Sequence, residues 1–294
     1  MGLTDYVGAV TDGIYGAVGF DFKSPHTGLA AKKAWFFFDK TYVCLGTNIS
    51  SRMKNQVLTT VNQCLLNGEV TVSDADGIHQ QEQGSRLKKE VRWVVHDKVG
   101  YYFLKKENII LSNQRTEGSW KIANRQTTTP ADIIRQDVFS LSVDHGRSPN
   151  NSDYAYMVIP SSDPLSIEKQ VEEEGVVILA NCPDVQAVRH DGLNMAYAVF
   201  YKGGTLRVHD KIVVEMDSPG MLMMKYNDAG EILALGVSDP TRFMKKLHLS
   251  VNQKIVGSAQ ENIQTEWDEK QALTRIAVDL PQNEYAGKSV IYNK

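Results

Sequence analysis

An all-β fold, a stack of mostly antiparallel sheets divided into a large first domain and a small second one, is expected from three observations. Runs of four to nine residues rich in Val, Ile, Tyr, Phe and Thr recur from end to end, separated by Gly, Asn, Asp and Pro. Helical periodicity is almost absent, with one candidate at 166–174. The chain of 294 residues is 42% hydrophobic and 23% charged, which is ordinary globular composition with enough apolar matter for a real core.

The elements follow in order. Ala34–Phe38 and Thr41–Leu45 are nearly continuous apolar strands around the turn-like Asp39–Lys40, so burial on both faces and a place in the middle of a thick sandwich are expected. Val57–Leu66 and Glu69–Ser73 flank Asn67–Gly68, a dipeptide that tolerates positive φ at both centres of a tight turn, and are expected to form a hairpin. Arg92–Val95 and Tyr101–Leu104 form a second hairpin across His96–Gly100, and Val138–Val143 is expected to pair with Tyr154–Ile159. Ser166–Glu174 is the helix, with Ser166 as its N-cap.

After the helix come short strands at Val176–Ala180, Ala187–Arg189, Met195–Tyr201, Thr205–Val208 and Ile212–Glu215. Asp217–Ser218–Pro219–Gly220 interrupts strand pairing, which places the domain boundary between 215 and 216. The first domain then covers 1–215. The second, 216–294, is a small sandwich of Met221–Tyr226, Ile232–Gly236, Lys246–Val251, Thr274–Leu280 and Ser289–Tyr292.

Charge narrows the function classes. With 32 Lys+Arg against 35 Asp+Glu, the net charge of −3 gives no long-range attraction for nucleic acid. An acidic polysaccharide would need a local basic patch. No apolar run is long enough to span a membrane, and Met1–Val10 carries neither the basic region nor the apolar block of a signal peptide. Cys44, Cys64 and Cys182 sit in apolar stretches and read as buried free thiols, with one disulfide in an oxidising compartment as the alternative.

Few residues point to chemistry. The seven histidines, at 26, 79, 96, 145, 190, 209 and 248, lack a metal-binding spacing, and no metal or cofactor is expected. Gly13–Gly16 and Gly203–Gly204 lack the strand-then-helix setting of a phosphate loop. Asp74–Ala75–Asp76–Gly77 opens like a calcium loop but has Ser85 where the closing Glu belongs, so it reads as a polar hairpin tip. The Trp35–Phe38 run is expected to pack in the core. Trp120, after the turn Glu117–Gly118–Ser119 and before the polar stretch Asn124–Thr129, is expected at the edge of the core, with a sugar-stacking indole as the functional alternative. His145, in Asp144–His145–Gly146–Arg147 at a strand exit, either holds its loop or contacts ligand. Trp120 and His145 are the candidate carbohydrate-binding residues; no catalytic residue is assigned.

Several segments together resemble polysaccharide lyase family 8, which includes chondroitin AC, chondroitin ABC, hyaluronan and xanthan lyases. They are Gly8–Gly16, Lys32–Asp39, Val43–Gly46, Thr59–Gln63, Val143–Gly146, Tyr154–Pro160 and Val237–Thr241, and the most specific is Lys33–Ala34–Trp35–Phe36–Phe37–Phe38–Asp39. The resemblance implies an α/α toroid, then a multi-sheet antiparallel super-β-sandwich, then a small C-terminal β-sandwich, of which this sequence carries the last two. It also implies that the Asn, His, Tyr and Arg acting on the uronic acid lie in the toroid, and that a supporting Glu and Asn lie upstream of Gly8. No catalytic role therefore transfers to this chain. What is expected is the β portion of a secreted lyase for acidic polysaccharide, extracellular or periplasmic, monomeric and non-catalytic alone. The alternative is a stand-alone carbohydrate-binding or structural module.

Overall fold

The computed structural model describes residues 2–255 and 261–294. Four strands open the chain: β1 (Val7–Thr11), β2 (Gly16–Lys23), β3 (Ala30–Phe37) and β4 (Tyr42–Ser50). Next are β5 (Gln56–Leu65), β6 (Val70–Asp74), β7 (Gly77–Gln80), β8 (Gly84–His96), the long β9 (Val99–Gly118), α1 (Trp120–Ala123), β10 (Ile134–Arg147), β11 (Ser152–Pro160) and α2 (Ile167–Glu174). Strands β12 (Val176–Asn181), β13 (Val185–His190), β14 (Met195–Phe200), β15 (Gly204–His209), β16 (Ile212–Met216) and β17 (Gly220–Tyr226) follow. The chain closes with β18 (Ile232–Ser238), β19 (Lys246–Val251), β20 (Ile263–Asp268), β21 (Leu273–Asp279) and β22 (Val290–Asn293). It divides into two units, one of Met1–Met53, Pro149–Ala155 and Glu168–Lys294, the other of Lys54–Ser148 and Tyr156–Ile167.

The first unit is layered. Strands β1 to β4 form an antiparallel meander, with Val10 opposite Ala17, Gly19 opposite Ala34 and Ala34 opposite Leu45. A six-stranded sheet runs β12-β13-β14-β17-β18-β22, and a five-stranded one β15-β16-β19-β21-β20. Phe200, Leu222, Met224, Leu235 and Val237 of the six-stranded sheet share one buried cluster with Leu206, Val214, Leu247, Leu249, Ile276 and Val278 of the five-stranded sheet. The other face of β14 meets the meander: Tyr197 packs on Phe36 and Phe38 with ring centroids 6.1 and 5.5 Å away, and a Cβ on Gly19 would meet Val199 at 2.6 Å. All six residues of β14 are buried in consequence. The middle layer is thus β14 and its neighbours rather than Trp35–Leu45. Strand β4 is closed on both faces from Val43 to Thr47, but β3 alternates, with Ala34 and Phe36 fully buried and Phe37 42% exposed.

In the second unit β9 is the spine. Strand β8 runs beside it from Val99 to Asn113; Tyr156–Pro160 of β11 pairs with its start, Val99–Phe103, and β10 with its second half, Ile109–Gly118, β10 pairing in turn with β5. Strand β6 lies between β8 and β7. Val72, Val91, Trp93, Val94, Ile109, Leu111, Phe139 and Leu141 are fully buried.

Three local expectations concern turns. Strands β5 and β6 do not form a hairpin across Asn67–Gly68: β5 pairs with β10 and β6 with β8, and of the two turn residues only Gly68 has positive φ. The long strands win because each offers more ladder bonds and buried side-chain pairs than a short hairpin could. The hairpin of β8 and β9 is present, turning at Asp97 (φ 47°) and Lys98 (φ 60°), the double left-handed geometry that a two-residue turn between twisted strands requires. Asp74–Gly77 is a polar hairpin tip, with Asp74 opposite Gly77.

Four further expectations are corrected. Val138–Val143 pairs with β9 and β5, not with Tyr154–Ile159, because β9 takes both partners. The helix forms at Ile167–Glu174, but the carboxylate of Asp163 accepts the backbone N–H groups of Leu165 and Ser166 at its entrance, at 2.8 and 3.1 Å, and Ser166 Oγ donates to that same carboxylate. The strands do not part at 215/216: β14 pairs with β17 and β16 with β19, so Asp217–Gly220 is a link inside one sandwich. The three cysteines form no disulfide, but the expected burial holds for Cys44 alone: Cys64 is half-buried and Cys182 is exposed in the turn between β12 and β13.

Candidate functional site

The antiparallel ladder of β9 and β10 runs outward to the pair Gly118 opposite Ile134. At its end the backbone leaves the extended conformation at Ser119 (φ −141°, ψ 139°), whose hydroxyl accepts the N–H of Lys121 at 3.2 Å and starts the single turn of α1. The turn closes where the Asn124 N–H donates to the Trp120 carbonyl at 2.8 Å. The ammonium of Lys121 donates to the Gln126 carbonyl at 2.7 Å and fastens the following loop.

This setting holds Trp120 outward. Its side chain is 63% exposed, overturning the expectation of edge-of-core burial, and it borders an open depression of about 360 Å³. Leu65, Ala123, Ile134 and Val138 supply the apolar lining. Leu65 is 62% exposed and Ile134 42%, and neighbouring Ile122 and Ile133 are 79% and 59% exposed. A contiguous group of large apolar side chains in water marks a surface that meets something.

Two ion pairs cross the strands beside the depression. Arg135 Nε donates to Glu117 Oε1 at 2.5 Å, and Arg115 Nε lies 3.5 Å from Asp137 Oδ1. The surface is therefore an apolar aromatic ledge between paired ions. An indole in this position can receive the C–H face of a pyranose while the paired polar groups flank its hydroxyls.

His145 is elsewhere. It lies within β10, eleven residues beyond Ile134, which at about 3.3 Å per strand residue places it some 36 Å along the strand from the depression. Its Nε2 sits 2.8 Å from Thr59 Oγ1 of β5, and Asp144 accepts the N–H of Gly146 at 2.9 Å in the irregularity between Asp144 and Arg147. This imidazole ties two strands together. Leu65, Ile134 and Val138, which complete the ledge, were missed in the sequence because they come from separated strands whose apolar residues read as core.

His96 is the most deeply buried imidazole of the second unit, 1% exposed and stacked on Phe139 with centroids 4.2 Å apart. The Asn67 N–H donates to its Nε2 at 3.1 Å, which puts the ring proton on Nδ1 beside Cys64 Sγ at 3.8 Å. Burial pushes its pKa below the ordinary histidine value, against a smaller opposing effect of Asp97. Among the described residues no three His, Cys, Asp or Glu side chains gather as metal ligands.

Comparison with known proteins covers both units. Residues 1–171 match the super-sandwich domain of polysaccharide lyase family 8, and residues 177–248 match that family's C-terminal β-sandwich domain. Chondroitinase-AC of Pedobacter heparinus is 35% identical over 292 residues, 99% of this chain and 38% of that protein. Xanthan lyase of Bacillus sp. (strain GL1) is 28% identical over 247 residues, 78% of this chain and 25% of that protein. A structure of chondroitinase AC lyase solved with oligosaccharides superposes with a TM-score of 0.83 over 98% of this chain and 40% of that chain, at 35% identity. A Paenibacillus xanthan lyase structure shares the fold at 22% identity, with a TM-score of 0.85 over 98% of this chain and 28% of that one. The chain thus spans well under half the length of these relatives, and by sequence and fold alike it belongs to polysaccharide lyase family 8.

Proposed function

We propose that this chain is the β portion of a secreted lyase that cleaves acidic, glycosaminoglycan-type polysaccharide by β-elimination, that it acts as a monomer outside the cytoplasm, and that it contributes binding surface rather than proton transfer. The observation that carries the reading is the exposed Trp120 on its apolar ledge, in a chain of this family. Eliminative cleavage removes the proton α to a uronate carboxylate, which requires donors to neutralise that carboxylate, a base at the ring and an acid for the leaving oxygen. Beside Trp120, Arg115 and Arg135 of the paired strands are already held by carboxylates, and His145 is remote, so the ledge suits holding a chain rather than breaking it.

The test uses the purified chain and a chondroitin or hyaluronan oligosaccharide. Binding is expected without release of ultraviolet-absorbing unsaturated product, and Trp120→Ala is expected to weaken it about fivefold to tenfold, the scale of one stacking contact. Turnover by the chain alone would overturn the non-catalytic part of the proposal. Binding that Trp120→Ala leaves unchanged would remove the ledge from it.

A further inference from the structure

Asn67–Gly68 is the one Asn–Gly pair in the sequence, and since it closes no hairpin its backbone is left open to a reaction of its own. Both residues are exposed in the link between β5 and β6. The Gly68 N–H has no hydrogen-bond partner among the described residues, its φ is 75°, and a Cβ built there would meet nothing within 4 Å. A backbone nitrogen with open space beside it is a nucleophile within reach of the side-chain amide of the residue before it, and glycine shields that nitrogen least.

The surroundings of Asn67 act on both ends of such a reaction. Its backbone N–H donates to the buried His96 at Nε2, 3.1 Å away, which ties the turn to the core. Its Nδ2 donates to Asp97 Oδ1 at 2.7 Å, a charge-assisted bond. A carboxylate that accepts from an amide nitrogen pushes the nitrogen's electron pair toward the carbonyl and makes Cγ a poorer electrophile. Asp97 therefore slows attack on Cγ without blocking it. Once an acid replaces the amide, the same carboxylate faces a like charge, and attraction becomes repulsion.

We propose that Asn67 is a site of spontaneous deamidation in the folded chain and that Asp97 sets its rate. The Gly68 nitrogen attacks Asn67 Cγ, an N–C bond forms, and Nδ2 departs as ammonia with the proton of the Gly68 N–H. Water then opens the resulting succinimide. Attack at Cγ leaves aspartate at position 67, and attack at the backbone carbonyl leaves isoaspartate, which routes the chain through the side chain and lengthens the link between β5 and β6. Either product loses the bond to Asp97 and strains the tie to His96. The site stands independently of the saccharide reading.

The test incubates the purified chain in mildly alkaline buffer, folded and, in parallel, unfolded in guanidinium, and follows the peptide holding residue 67 by mass spectrometry with isoaspartyl methyltransferase labelling. In the folded chain Asn67 is expected to convert at least about tenfold faster than Asn124, which is also exposed but precedes Arg125. Asp97→Asn keeps a residue that tolerates the left-handed turn at 97 and removes the charge; it is expected to speed conversion severalfold in the folded chain and to leave the rate in guanidinium unchanged. Asn67→Asp is expected to lower the urea midpoint more than Asn67→Ala, which removes the same bond without adding charge. The proposal is overturned if Asn67 of the folded chain converts no faster than Asn124, or if Asp97→Asn leaves the folded-chain rate unchanged. Equal midpoints for the two variants at 67 would overturn the repulsion.

Discussion

Gly46 shows how tightly single positions are constrained in this molecule. A Cβ built there would meet the ring of Tyr154 at 2.0 Å, and Tyr154 is itself 2% exposed, so neither side can give. Gly46→Ala is expected to destabilise the fold by about 3 kcal/mol or more, read as a lower midpoint in urea unfolding. His96 supports a second expectation at this scale. Its folded pKa is lowered, so the neutral imidazole stabilises the fold above the unfolded value near 6.5, and that contribution is lost as pH falls from there through the lowered folded value. Unfolding free energy measured between about pH 8 and 5 should therefore decline below about 6.5, and His96→Gln should flatten that part of the profile. Cys64, beside His96, lies in an apolar sequence run yet is only half-buried. Sequence context alone does not say which residue of a β segment faces inward.

At the scale of elements, the turns and the helix entrance carry the tests. Lys98 sits at φ 60° in the turn between β8 and β9, a conformation that costs a side-chain-bearing residue about 1 kcal/mol and glycine almost nothing. Lys98→Gly is expected to raise stability by up to about 1 kcal/mol in the same urea experiment, the gain being trimmed by the greater freedom of glycine in the unfolded chain. At α2, Asp163→Ala should lower stability more than Ser166→Ala, because Asp163 alone satisfies two backbone donors. Ser166 was legible as a helix-start residue and the helix itself was legible, but the cap was not. Which of two nearby polar side chains turns back onto the backbone depends on the path the preceding strand imposes.

The whole molecule is mildly acidic, at −3, and Arg115 and Arg135 on the strands beside the ledge are matched by carboxylates. Binding of a glycosaminoglycan through stacking releases few counterions, so its affinity should change by less than about threefold between roughly 50 and 200 mM salt, whereas a phosphate-style basic cleft would lose orders of magnitude. A steep salt dependence in that titration would place the acidic ligand on some other, basic surface. The six-stranded sheet makes the largest demand on packing, since β14 is closed on both faces. Phe200→Ala is expected to cost about 3–5 kcal/mol, measured as loss of the cooperative unfolding midpoint.

The all-β class, the helix α2, most strands after residue 176, the β8–β9 hairpin and the family were readable in the sequence alone, because alternation, β-branched content and turn residues act locally and the family's motifs are contiguous. Partnership was not readable. Whether Asn67–Gly68 closes a hairpin, whether Val138–Val143 meets Tyr154–Ile159 and whether the chain divides at Asp217 all depend on competition among long strands for the same edges, and that is settled by side chains far apart in sequence. The Trp120 ledge is of the same kind. Its indole was a candidate from its turn-rich surroundings, but its exposure and its partners Leu65, Ile134 and Val138 exist only once β5, β9 and β10 are paired, because a surface is a property of neighbours in space.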